Sequence, residues 1–96
     1  MIRHVVLFTL KPGADREEAQ AGLARLGEIP HVRAFEVVPN LKRDQIGNTV
    51  DLVVHGVFDD PSALDAYKAH PLYAEVTAQV RPLRDHRVAA DFVTTL

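Results

Sequence analysis

The strand-like stretches of this chain are apolar on both faces, and little else in it is long enough to cover both. From Ile2 to Leu10, Val6 and Phe8 point one way while Val5 and Leu7 point the other. A second stretch, Val32 to Val38, alternates and is rich in valine. In a third, Val50 to Phe58, Leu52, Val54 and Phe58 oppose Val53 and Val57; in the last, His86 to Thr94, Val93 opposes Val88 and Phe92. An antiparallel sheet with helices on one face ordinarily turns a polar face to water. Here the chain's own helical segments can cover one face, and within 96 residues nothing is left for the other. A bare apolar face of that kind exceeds the patch a monomer normally exposes. A second copy packed sheet to sheet is the simplest cover, and two-fold pairing is the commonest oligomer. The expected homodimer buries Val5, Leu7, Val53, Val57, Val88 and Phe92 at or near its interface.

The segments between the strands carry helix and turn signals. Lys11-Pro12-Gly13 ends the first strand, and Asp15 with Glu18 three residues on has the form of a capping box. Ala19, Leu23 and Leu26 then share one helical face, with Gly27 as the stop. The polar run from Pro39 to Asn48 is longer than a usual hairpin connection, a candidate mobile or binding loop. Asp60-Pro61 supplies an N-cap and a proline at the first helical position. Leu64 and Tyr67 form the inner face of a short helix that His70-Pro71 interrupts, and Tyr73, Val76 and Val80 continue that face in a second piece. The order β-α-β-β-α(α)-β predicts one α+β domain over residues 1–96: a ferredoxin-like split βαβ antiparallel sheet with helices on one face.

Composition excludes several function classes. A net charge of −2 with interspersed signs implies no basic face for nucleic acid. With no cysteine there are no disulfides, thiolate nucleophiles or cysteine metal sites. The apolar N-terminal stretch is too short to span a bilayer and no cleavage site follows it, so no membrane partner is expected and the expected location is cytoplasmic. No two histidines have the helical i, i+4 spacing of a zinc site, the glycines form no phosphate loop, and the sole serine, Ser62, has no nucleophile context.

Met1-Ile2-Arg3-His4-Val5-Val6-Leu7-Phe8, Lys11-Pro12-Gly13 and Ile29-Pro30-His31-Val32-Arg33-Ala34-Phe35-Glu36-Val37 together resemble the opening of a Dabb domain, the stress-responsive dimeric A/B barrel. Phe58-Asp59-Asp60, Tyr67-Lys68-Ala69-His70-Pro71 and Val88-Ala89-Ala90-Asp91-Phe92 resemble its later signatures, so the likeness spans essentially the whole chain. The resemblance implies a dimeric α/β barrel with a pocket between each sheet and its helices, and no cofactor. One characterised plant member, olivetolic acid cyclase, closes a polyketide chain by an intramolecular aldol reaction. An aromatic or polyketide-like small molecule is the ligand class this implies, with Val6, Phe8, Leu23, Phe35 and Val54 as pocket walls.

The candidate chemistry lies in four side chains: His4, Tyr67, Tyr73 and Asp91. His4 shares a strand face with Val6 and Phe8, and the resemblance places a pocket-lining histidine there. A neutral imidazole could orient a substrate oxygen or move a proton; the alternative is a packed histidine satisfied by a carboxylate or backbone partner. Tyr67 matches a pocket tyrosine whose phenol can hydrogen-bond a carbonyl or enolate, though a buried tyrosine is more often a packing residue with a bonded hydroxyl. Asp91, a carboxylate on the helix side of the last strand, needs a partner, expected to be His4 or a tyrosine hydroxyl. The resemblance implies that this aspartate holds a catalytic histidine at position 73, where this chain has Tyr73. A phenol is a poor base at neutral pH, so aldol cyclisation of linear polyketide thioesters is not expected. His70 is read as bracing the helix break, His55 as facing the partner sheet beside Glu36, and His31 and His86 as surface residues. Three functions follow: a small-molecule-binding homodimer, a cofactor-independent cyclase or isomerase, and a stress-related dimer with a filled core. A cavity of about a few hundred Å³ would favour a ligand.

Overall fold

The computed structural model describes residues 1–96. The β-branched N-terminal run becomes β1 (Ile2–Leu10), which pairs antiparallel with β3 (Leu52–Phe58) on one side and β4 (Arg84–Val93) on the other. β2 (Ala34–Pro39) adds to the free side of β3, giving the order β2-β3-β1-β4. Alternation sorts the side chains cleanly. Ile2, His4, Val6, Phe8 and Leu10 of β1 are buried, while the intervening Arg3, Val5, Leu7 and Thr9 are only half-buried. Leu52, Val54 and Phe58 repeat the pattern in β3, so these two strands place the core between one sheet face and the helices. The fold is α+β and ferredoxin-like.

Three helices cover the buried face. In α1 (Arg16–Ala24), Asp15 accepts from the backbone N–H of Glu17 and Glu18, while Glu17 and Glu18 set negative charge against the positive helix end. The helix then tightens into a 3-10 turn, Arg25–Glu28, instead of running to a stop at Gly27. A Cβ on Gly27 would come within 3.0 Å of the Phe35 ring, so the residue serves a close approach to β2. α2 (Pro61–Ala69) is capped by Asp60 through the Ala63 N–H, and α3 (Pro71–Val80) by His70, whose Nδ1 accepts from the Leu72 N–H at 3.1 Å. His70 thus ends one helix and starts the next, which is how the expected break is built. Caps of this kind contribute about 1 kcal/mol each.

Two boundaries shift. β2 starts at Ala34, not Val32, because the Val32 N–H turns back to the Ile29 carbonyl. β3 starts at Leu52, not Val50; just before it, the Asp51 side chain accepts from the Leu10 N–H and from Lys42 Nζ, both at 2.8 Å. Those two bonds, led by the one from Lys42, hold the Asp51 carboxyl below the usual carboxylate range. They also tie down the loop after Pro39. Asn40 reinforces its base through the Val50 carbonyl, and the loop supplies no wall of the interior pocket described below.

The second sheet face is apolar and open in the single chain. Val88 is 62% exposed, Phe92 48% and Val38 38%, with Val5, Leu7, Val53 and Val57 half-buried between them. One polar chain crosses it. Arg3 Nη1 donates to His55 Nε2 at 2.9 Å, and His55 Nδ1 donates to Glu36 Oε2 at 3.2 Å.

Candidate functional site

On the helix side of the sheet, β1 and β4 run antiparallel with His4 directly opposite Asp91. Their side chains meet: His4 Nδ1 donates to Asp91 Oδ1 at 2.5 Å. The imidazole is 1% exposed, whereas the carboxylate is 40% exposed. Burial lowers the His4 pKa, and the hydrogen bond to Asp91 opposes that shift without overcoming it. His4 is therefore neutral at pH 7. A carboxylate can only accept, so the proton of the neutral ring sits on Nδ1 and the lone pair on Nε2. That nitrogen has no protein partner, yet it is not sealed in, since the one fully enclosed unpartnered side-chain atom is Arg3 Nε.

Tyr67 is the hub of the aromatic packing around this pair. Its ring stands edge-on to Phe58 at 4.9 Å, to Tyr73 at 5.3 Å and to His4 at 6.1 Å. Burial, with Tyr73 beside it, pushes the phenol well above the ordinary tyrosine range, so Tyr67 is a proton-bearing donor and not a base. Its hydroxyl has no protein partner and is not among the fully enclosed atoms.

His4, Tyr67 and Tyr73 line one pocket together with Val6, Phe8, Leu23 and Val54. Two expectations need correction. Phe35 is not a wall of this pocket: it stands behind Tyr67, with ring centres 6.5 Å apart, against Gly27 and Gly56. Asp91 does not open into it either, because His4 stands between; it borders a shallower cleft of about 320 Å³ with Ile2, Leu64 and Phe92. The interior pocket has room of about 20 Å³, enough for about one water and not the few hundred Å³ of an open ligand cavity. Tyr73 does not take the place of a histidine held by Asp91, since the aspartate is bonded to His4.

Residues 2–94 match the Dabb family, the stress responsive A/B barrel domain. The chain belongs to that family. This Dabb chain is 34% identical over 79 residues to an uncharacterized protein of Streptomyces coelicolor, a match covering 76% of this chain and 79% of that one. Among solved structures it superposes on the Arabidopsis thaliana protein At3g17210 with a TM-score of 0.86 and 23% identity, covering 100% of this chain and 97% of that one. It also superposes on a dimeric ferredoxin-like protein of unknown function from Thermobifida fusca, with a TM-score of 0.82 and 25% identity over 97% and 90% of the two chains.

Sequence reasoning missed part of the pocket of this Dabb domain. Leu26, Thr77 and Val80 close it from the helices, and Arg84 and Arg87 close it from β4. Leu26 and Val80 already share the faces of Leu23 and Tyr73, and Thr77 lies one turn beyond Tyr73. The arginines carried a signal too, since Arg87 shares the strand face of Asp91 at a spacing of two pleats. No helix is long and apolar enough to cross a membrane.

Proposed function

We propose that this protein is a homodimer that binds a small aromatic or polyketide-like molecule against the His4–Asp91 pair, the pocket widening as the ligand enters. The observation that carries the reading is that His4 and Tyr67 line the same apolar pocket while His4 Nε2 and the Tyr67 hydroxyl, one acceptor and one donor, have no protein partners. A core built only for packing would satisfy such groups internally. Half-buried Tyr73, on the helix after the His70-Pro71 break, is the wall best placed to move. The homodimer is supported by the open apolar face and by the likeness to the dimeric Thermobifida protein.

The same pair favours a second reading, a cofactor-independent isomerase or cyclase. A neutral imidazole with its lone pair on Nε2 is a general base, and a Tyr67 phenol that keeps its proton can donate to the enolate oxygen that deprotonation creates. Incubation with an enolisable aryl ketone in D2O, followed by proton NMR, separates the two readings. Under binding alone, the ketone shifts resonances around His4 and its α-protons exchange no faster than in buffer. Under catalysis, exchange is accelerated, is lost in His4→Ala and persists in Tyr73→Phe. If the ketone and a linear tetraketide thioester neither perturb His4 nor react, the filled-core dimer is the correct reading. The substitution of the family's histidine by Tyr73 leaves the tetraketide uncyclised in either case.

A further inference from the structure

β4 breaks the rule that the helix side of this sheet is apolar. Its register sets Arg84 opposite Leu10 and Arg87 opposite Phe8, both buried on the helix side, so the arginines face away from the surface expected to meet a second copy. Both line the pocket that His4 and Tyr67 border. Neither forms an ion pair. Among the chain's other cations, Arg25 pairs with Glu75, Arg33 with Asp59 and Lys42 with Asp51, while the rest have no carboxylate partner. The neighbouring Asp85 turns to His86 at 3.6 Å. Two guanidiniums without counter-charges therefore stand at one apolar pocket in a chain whose net charge is −2.

From this arrangement we infer that the pocket takes an anionic ligand, an aryl carboxylate, with its ring among Val6, Phe8 and Val54 and its carboxylate held by Arg84 and Arg87. This rests on the small-molecule reading and adds the charge of the ligand. A planar guanidinium fits a carboxylate through two parallel N–H···O bonds, and low-dielectric walls strengthen that attraction. The field of Arg87 reaches two other lining residues, His4 and Tyr67, and lowers the proton affinity of both. An anion seated between would have the arginines on one side and the Tyr67 donor on the other.

The test is calorimetric titration of the native protein with benzoate, benzamide and phenyl phosphate, with His4 followed by NMR. Benzoate should bind at least about tenfold more tightly than benzamide, a margin equal to about 1.4 kcal/mol. Salt should erode that margin. In the double variant Arg84→Gln/Arg87→Gln the margin should shrink to about twofold, with benzoate losing more affinity than benzamide, and Arg87→Lys should keep part of it. Both positions are at least partly exposed, and unchanged melting curves verify folding; the salt titration needs no variant. Equal binding of benzoate and benzamide, or a margin surviving in the double variant, overturns the anion assignment and leaves the small-molecule reading standing. Tighter binding of phenyl phosphate than of benzoate overturns the carboxylate. If none of the three binds or shifts His4, both readings fail.

Discussion

Val53→Asp should convert the protein to a folded monomer at micromolar concentration. Val53 lies near the middle of the open sheet face, between Leu7 of β1 and Val38 of β2. In the homodimer it would be buried against the partner sheet, and a two-fold axis would bring a second carboxylate onto the same face. An unpaired carboxylate in such an interface costs several kcal/mol, on the order of 3–5, enough to raise the dissociation constant by a hundredfold or more. The effect should fall on assembly and not on the chain, because half-buried position 53 is open to water in the single chain. Sedimentation velocity should show native dimer and variant monomer, with the far-ultraviolet circular dichroism retained. Ala21→Asp, on the exposed side of α1, is the control and should stay dimeric. A Val53→Asp protein that remains a dimer would place the interface elsewhere.

The second large effect concerns stability and pH at fixed protein concentration. His4 has a pKa lowered by burial in the folded state, whereas in the unfolded chain it titrates near the ordinary 6.5. Below about pH 6.5 the unfolded chain therefore binds a proton that the folded one refuses. The stability associated with neutral His4 is fully present above that pH and is lost as pH falls toward the folded value, by at most about 1.4 kcal/mol per pH unit. Asp51 acts in a separate, lower window, since its lowered pKa costs stability only as pH falls below about 3.8. Asp91→Ala should lower stability at pH 7 by about 1–3 kcal/mol, because it leaves the His4 Nδ1–H buried without an acceptor. By removing the one strong influence that raises the His4 pKa, it should also carry the acid loss to lower pH. His4→Phe, which keeps the packing on Phe58 and Tyr67, should flatten the limb between pH 6.5 and 5. Urea unfolding at half-unit intervals from pH 5 to 8 reads all three proteins. A native protein that gains stability from pH 7 to 5.5, or an Asp91→Ala protein as stable as native, contradicts this electrostatic assignment.

The fold was legible because its signals are local. Valine-rich alternation, Asp60-Pro61 and the His70-Pro71 break each act within a few residues, and each became a strand, a cap or a helix junction. Both-faced apolarity was legible for the same reason, since period-two alternation fixes which side chains share a face. The His4–Asp91 bond was open to inference as well: a carboxylate on the buried side of a strand needs a partner, and pairing β1 with β4 puts His4 across from it. What depends on three-dimensional fit was not legible. Phe35 has the alternation of a pocket wall, but the absence of side chains at Gly27 and Gly56 lets its ring sit behind Tyr67. The narrowness of the pocket, about 20 Å³, goes with the edge-on packing of Tyr67 on His4 and Tyr73, which no periodicity encodes. Arg84 escaped notice because a register shift between Thr9 and Leu10 alters the simple alternation of β4.

One proton, that on His4, sets the chemistry of the pocket. Nitrogen-15 NMR of the imidazole in the native protein at pH 7 locates it directly. The expected spectrum is that of a neutral ring with its hydrogen on Nδ1, coupled to Asp91, and an Nε2 resonance that moves when benzoate or an aryl ketone is added. An imidazolium, or a neutral ring with its hydrogen on Nε2, would contradict the site as described.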